Sequence, residues 1–356
     1  MRVLIIPFIT LFLSLKFVNG QLLAKGHANE CKANLTEQEY ESLFPGHFDK
    51  YIFASWDGMC DGLGNQMFRF ASLYSIGRQY GRKAISKMGQ ECKAEKSEHD
   101  SEGEHEIEEL FPVYASQMQF INATEKANDT FYQKGFAPFC CSYTDPEKYS
   151  LSRITAKYLE IEGRYFQSHK YLAGRRTEMR QIFQLGQKLC QKMHRYKMAL
   201  FSNDKSHKLC VHIRIGDFRF YAGVASEKHF TEQGIEFGFS YLKEKISNNF
   251  SVSLILMGKE KEFLKNLTFN RQLFAKVYVP QQMPRSNDFA FAILACDSLL
   301  ITAQASTFAW WIAYLMPDDA TIFYNSKFGP AFSHTRENLL PQWIPIRLIN
   351  GTMALD

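Results

Sequence analysis

The chain has 356 residues, 46% of them hydrophobic and 15% aromatic, ample for packed cores in two domains of ordinary size and contrary to intrinsic disorder. Its 42 Lys and Arg against 37 Asp and Glu leave a net charge of +5, compatible with anionic ligands. No dense basic tract argues for nucleic acid.

Arg2 precedes an uncharged run, residues 3–15, broken by Pro7, Thr10 and Ser14 and followed by Lys16. The run is short against the roughly 20 residues of a spanning helix, and Val18-Asn19-Gly20 fits a small-residue cleavage site. Residues 1–20 are therefore a cleaved signal peptide or a short signal-anchor, and both lead into the secretory pathway. No other stretch is apolar enough to span a membrane.

Asn-x-Ser/Thr sequons at Asn34, Asn122, Asn128, Asn249, Asn266 and Asn350 are candidate N-glycosylation sites and agree with that compartment. So does the even set of cysteines at 31, 60, 92, 140, 141, 190, 210 and 296. Their spacing is not that of a zinc site. Cys140 and Cys141 are adjacent, which disfavours a bond between them, and Cys210 and Cys296 lie in apolar runs and read equally as buried free thiols.

Residues 21–50 are polar and mixed, a stem or linker. Order begins with a strand over 51–56. The Gly-rich turn Asp61-Gly62-Leu63-Gly64-Asn65-Gln66 follows, then a helix to Tyr80 with Phe68, Leu73, Ile76 and Tyr80 on one face. A strand, Gly-rich turn and helix aim backbone N–H groups and a positive helix end at a ligand. The acidic stretch 91–109, with His99 and His105, reads as a solvated loop, since too few apolar residues flank it to fix metal ligands. Residues 111–149 are aromatic and irregular. A strand over 159–166 and a helix over 174–200 complete an N-terminal domain, 51–200, and a polar stretch at 201–208 separates it from a second, 201–356.

The second domain opens on Leu-Cys-Val-His-Ile-Arg-Ile-Gly-Asp, residues 209–217, an apolar strand running into a polar loop. In an open α/β sheet ligands bind where strands end, so His212, Arg214, Gly216 and Asp217 surface at a crevice. The planar Arg214 fork suits a phosphate, and an Arg214–Asp217 ion pair is the bland alternative. Strands over 252–257, 276–279, 298–302 and 321–324 alternate with helices over 259–267, 288–295 and 303–315, which predicts a parallel sheet covered by helices. Ser306 and Thr307 fall at the start of the last helix, where they serve as caps and also suit an anion. Trp310 and Trp311 belong to the core. There is no Walker P-loop, no Gly-x-Ser-x-Gly elbow and no His-Glu-x-x-His, against a common ATPase, esterase or metalloprotease. Nor does any Asp-x-Asp follow an apolar strand to hold a divalent ion.

Together His212-Ile213-Arg214-Ile215-Gly216-Asp217, Gly62-Leu63-Gly64-Asn65-Gln66-Met67 and the stretch from Ser306-Thr307-Phe308 to Leu315 resemble the α-1,2-fucosyltransferases of glycosyltransferase family 11. The resemblance implies a GT-B-like fold, two Rossmann-like domains with a donor cleft between them. It implies inverting transfer of L-fucose from GDP-fucose to the 2-hydroxyl of a terminal β-galactose on a glycan, with no cofactor and no required metal, by a type II Golgi membrane protein with a luminal catalytic domain. The alternative location is secretion after signal-peptide cleavage. By the same resemblance Arg214 stabilises the departing GDP, and Gly64, Asn65, Gln66, Gly216, Ser306, Thr307 and Phe308 bind the donor. Asp288 stands where related enzymes place a guanine-binding carboxylate. Asp217 is the candidate base and His212 a support behind Arg214. The first domain then lies on the acceptor side.

One departure concerns Ile215, where the family usually has a second Arg. Protein O-fucosyltransferases share the single Arg followed by Ile and are the alternative function, although the chain ends Gly-Thr-Met-Ala-Leu-Asp without an ER-retention signal. A non-catalytic secreted carbohydrate-binding protein is the third reading.

Overall fold

The computed structural model describes residues 31, 35–46, 48–55, 62–87, 103–118, 120–121, 129–220, 225–246, 250–328 and 334–356. The leader, Cys60, Cys92, His99 and the sequon residues Asn34, Asn122, Asn128 and Asn249 lie outside them. Among the described residues no helix is long and apolar enough to cross a membrane.

The first half of the chain runs α1 (Glu37–Leu43), β1 (Tyr51–Ala54), α2 (Leu63–Gln79), β2 (Lys83–Ala84), β3 (Ser86–Lys87), α3 (Gly103–Leu110), α4 (Pro112–Ser116), β4 (Phe120–Ile121), β5 (Thr130–Ala137), β6 (Tyr158–Gly163), α5 (Arg176–Ile182) and α6 (Gln187–Phe201). Its sheet has the order β2-β1-β6-β5, parallel throughout. The second half runs β7 (His207–His212), α7 (Lys228–Ile246), β8 (Val252–Met257), α8 (Lys261–Lys265), β9 (Val277–Tyr278), α9 (Arg285–Ala295), β10 (Ser298–Ile301), α10 (Thr307–Leu315), β11 (Thr321–Asn325), β12 (Ile344–Ile349) and β13 (Thr352–Leu355). Its sheet has the order β13-β12-β11-β10-β7-β8-β9, parallel except for β12 with β13. The α/β architecture of two Rossmann-like domains is the one expected.

Counted from β7, the six parallel strands lie in the doubly wound order 3-2-1-4-5-6. The order reverses between β7 and β10, so the crevice opens at the C-terminal ends of those two strands. All six residues of β8 are buried, as parallel strands covered on both faces require. In β7 the alternation sends Leu209 and Val211 into a core shared with α7 residues Ile235 and Leu242. Cys210 points the other way, into a core containing Met67, Phe68, Phe183, Phe289, Trp310 and Trp311. That second core draws on both halves of the chain, so the halves are joined by apolar packing rather than by a linker.

Several boundaries differ from the sequence reading. The helix expected over 174–200 is two, α5 and α6, with Gly186 at the start of α6. A Cβ there would stand 2.2 Å from the Glu109 carbonyl oxygen, so the chain needs glycine at this crossing. The helix expected from 303 begins at Thr307, because the Ser306 hydroxyl accepts the Ala309 N–H at 3.3 Å as an N-cap. Part of the expected stem is folded: α1 carries a Thr36/Glu39 capping box, and Cys31 is bonded to Cys190 on α6. The acidic stretch ends in α3, whose buried Glu106 pairs with both Nε and Nη2 of Arg285.

The cysteine expectations also need correction. Cys210 and Cys296 are not free thiols but a disulfide from β7 to the end of α9. Cys140 and Cys141 are bonded to each other. Cys141 adopts φ 76° in a turn, a left-handed conformation that lets adjacent sulfurs meet.

Candidate active site

Arg214 follows the end of β7, and its backbone is held on both sides. Its N–H donates to Ser226 Oγ and its carbonyl accepts the Ser226 N–H, each at 2.9 Å. Ser226 Oγ meets Thr302 Oγ1 at 2.6 Å, and that hydroxyl donates to the His212 carbonyl at 2.6 Å. Ser226 Oγ is thus the donor to Thr302, and the two hydroxyls form a relay that ties the ends of β7 and β10 together. Sequence reasoning missed both residues. Thr302 carried a legible signal, a hydroxyl at a strand end, whereas Ser226 carried none.

The Arg214 guanidinium lies 2.7 Å from Asp217 and 5.5 Å from the centre of the Phe218 ring, with its side chain 40% exposed. The ion pair read as the bland alternative is therefore present, yet both partners face solvent at the crevice. Gly216, at φ 25°, donates its N–H to Glu260 at 2.7 Å. Glu260 follows β8 and was not singled out in the sequence. Ile215 is buried in the core of the second domain, so this motif presents a single guanidinium to the crevice.

His212 is buried and its ring lies 5.7 Å from Phe308. Burial, followed by the neighbouring Arg214 charge, pushes its pKa down to about 3. The ring is neutral at physiological pH and is a poor proton acceptor, which suits a supporting part better than that of a base. Its Nδ1 has no hydrogen-bond partner among the described residues.

The first domain enters through α2. The N-terminus of α2 meets the N-terminus of α10 so closely that a Cβ on Gly64 would stand 2.6 Å from the Thr307 carbonyl carbon. Trp311 Nε1 donates to the Gly64 carbonyl at 3.1 Å. Asn65 Oδ1 accepts the Thr307 hydroxyl at 3.0 Å and Gln167 Nε2 at 2.8 Å. Two positive helix ends side by side repel unless an anion lies near them, so the arrangement favours a phosphate. Ser306 is buried and its hydroxyl is used as a cap. Gln66 is buried in the first turn of α2.

Asp288 occupies the first turn of α9. Its carboxyl is pushed up to about 7 by burial, with Lys259 pulling it down. The next residue, Phe289, places its ring 5.0 Å from that of Phe308. The structure therefore joins Gly64, Asn65 and Thr307 in one cluster and Arg214, Gly216 and Asp217 in a second; His212 packs on Phe308, and Asp288 is tied to them only through its neighbour Phe289.

Two parallel-sheet domains, the second doubly wound and joined to the first where α2 meets α10, make a GT-B-like fold. The sequence profile of Glycosyl transferase family 11 matches residues 142–347, more than half of the chain. Two galactoside 2-alpha-L-fucosyltransferases of Caenorhabditis elegans are each 28% identical to it. One match covers 82% of this chain and 76% of that protein, the other 83% and 76%. The solved structure of fucosyltransferase NodZ from Bradyrhizobium superposes with a TM-score of 0.48 at 13% identity, covering 86% of this chain and 98% of that one. The chain belongs to glycosyl transferase family 11 and is a glycosyltransferase, as the three motifs led one to expect.

Proposed function

We propose that this enzyme transfers L-fucose from GDP-fucose, with inversion, to the 2-hydroxyl of a terminal β-galactose on a glycan. The observation that carries the reading is Arg214, exposed just past the end of β7 at the switch point between β7 and β10, in a fold where the N-termini of α2 and α10 meet. The names of the two C. elegans relatives support the same donor chemistry and acceptor linkage.

The geometry translates into a mechanism. As the C1–O bond of the donor breaks, negative charge gathers on the diphosphate. A guanidinium whose backbone is fixed by Ser226 meets that charge from a set position at the strand end. The diphosphate takes the place Asp217 holds on Arg214, and the freed Asp217 carboxylate is the candidate base, provided that it swings to the face of C1 opposite the diphosphate, where the acceptor hydroxyl attacks. The Asn65 side-chain NH₂ donates to a phosphate oxygen, as does the Thr307 hydroxyl once it leaves Asn65 Oδ1, and Asp288 reads the guanine. No metal is needed in this scheme, because Arg214 and the helix ends take the charge. The Golgi membrane, reached through residues 1–20 as a type II anchor, is the proposed location.

The test is radiolabelled GDP-fucose, a panel of galactosides and EDTA. Transfer to the galactose 2-hydroxyl that is lost in Arg214→Ala supports donor, site and metal independence together. GDP binding without transfer to any galactoside contradicts the acceptor. A requirement for added metal contradicts the proposed charge stabilisation.

A further inference from the structure

The strands of the first sheet are parallel in the order β2-β1-β6-β5, so the segments that leave their C-terminal ends share one edge. That edge carries Asn65 after β1, Gln167 after β6 and a turn over 138–143 after β5. Gln167 joins the three. Its Nε2 donates to Asn65 Oδ1 at 2.8 Å, and its Oε1 lies 3.2 Å from Cys141 Sγ in the turn. The turn therefore stands beside the cluster of Asn65 and Thr307 at the donor cleft.

The turn is held from several sides. Cys140 and Cys141 are bonded to each other, and the Cys141 carbonyl accepts Asn338 Nδ2, which also donates to the Gln167 carbonyl at 3.0 Å. The Thr144 N–H donates to the Tyr171 hydroxyl at 2.9 Å, and the Tyr143 ring packs 4.9 Å from that of Tyr171. On this fixed turn Phe139 is 70% exposed. Single exposed apolar side chains are ordinary. This one differs in being presented by a cross-linked turn at the ligand-binding edge of its sheet, next to polar groups of the cleft. A ring on a rigid support binds an apolar surface with little loss of conformational freedom.

We propose that Phe139 is the acceptor-binding residue on which the terminal galactose stacks, an assignment that rests on the galactoside transfer proposed above. β-Galactose turns its axial 4-hydroxyl to one face and its C–H groups at C3, C4 and C5 to the other. The C–H face is apolar with a slight positive charge, and it meets the negative face of an aromatic ring. The 2-hydroxyl lies at the rim of the sugar and stays free to react. β5 lies two strands from β1, about 10 Å across the sheet, which is room for a donor sugar and an acceptor sugar side by side.

The test compares the wild type with Phe139→Ala, Phe139→Leu and Phe139→Trp, with GDP-fucose as donor and lactose as acceptor. Phe139→Ala should raise the acceptor KM about tenfold. It should leave kcat and the GDP dissociation constant unchanged, since a contact made equally before and during transfer is uniform binding. Phe139→Trp should keep the wild-type KM and Phe139→Leu should not, because the contact needs a π face rather than bulk. Saturation-transfer NMR of lactose on the GDP-bound protein reads binding without turnover. The galactose protons at C3, C4 and C5 should take up most magnetisation on the wild type and little on Phe139→Ala. Phe131→Ala removes an exposed ring near the start of β5, at the other end of the strand, and should behave like the wild type. An unchanged acceptor KM in Phe139→Ala, or a Phe139→Leu variant as good as the wild type, overturns the assignment. A wild type that binds GDP but neither binds nor fucosylates lactose contradicts the galactose acceptor itself, and the stacking assignment falls with it.

Discussion

The Asn65 amide oxygen accepts the Thr307 hydroxyl at 3.0 Å, so the start of α2 in one domain is bonded to the start of α10 in the other. A diphosphate entering the site meets polar groups already fixed in place, and preorganisation of this kind lowers the cost of binding.

Gly64 sets how closely those two helix ends approach. In Gly64→Ala the added methyl would stand 2.6 Å from the Thr307 backbone, and backbone cannot swing aside as a side chain does. The two helix ends must separate, which costs about 1–3 kcal/mol of stability and misplaces Thr307. The expected outcome is a lower unfolding temperature with a raised KM for the donor. An unchanged donor KM in a folded variant would show that this approach does not shape the donor site.

Asp288 makes both stability and donor binding depend on pH. Its carboxyl, pushed up to about 7 by burial, is protonated in the fold under conditions where an unfolded chain ionises it near 4. Between those values the folded state binds the extra proton. Its contribution to stability is full below pH ~4 and is lost as pH rises through about 7. Asp288→Asn should flatten that part of the stability profile, as read by thermal unfolding across this range. Guanine offers N–H donors and calls for an ionised carboxylate, so GDP affinity should rise with pH through the same window. Titration calorimetry checks this, and an unaltered profile in Asp288→Asn would remove Asp288 from the guanine site.

The Cys210–Cys296 bond secures the strand that carries Arg214. Cys210 lies two positions before His212, and the bond closes 86 residues of chain. Loop entropy for a closure of this size is worth about 4–5 kcal/mol, of which about 2–4 is usually realised. Replacing both cysteines with Ala should lower the denaturant midpoint accordingly. A variant as stable as the wild type would contradict this role for the bond.

Much of the second domain was legible in the sequence because its strands are short apolar runs broken by turns: residues 252–257 were read with the bounds of β8. What escaped were features set by tertiary contact. The hairpin of β12 and β13 turns on Asn350, φ 51°, and Gly351, φ 81°, an Asn-Gly pair that signals a hairpin although it also spells a sequon with Thr352. The break between α5 and α6 depends on the approach of Glu109 to Gly186, which no local pattern announces. In the site, the motif residues Arg214, Asn65 and Thr307 stood out by type and spacing. Ser226, Glu260 and Gln167 are ordinary residues made important by hydrogen bonds across the fold.

The account rests on Arg214 holding the diphosphate at the β7/β10 switch point. Calorimetric titration of GDP into the wild type, Arg214→Lys and Arg214→Ala, alongside turnover, tests it most directly. Loss of one preorganised charge donor should lower kcat by about 10²–10³-fold. GDP should bind at least about tenfold more weakly to Arg214→Ala, since a charge-assisted bidentate contact is lost, and Arg214→Lys should restore only part of either. Unchanged GDP affinity and turnover in a folded Arg214→Ala protein would contradict the account.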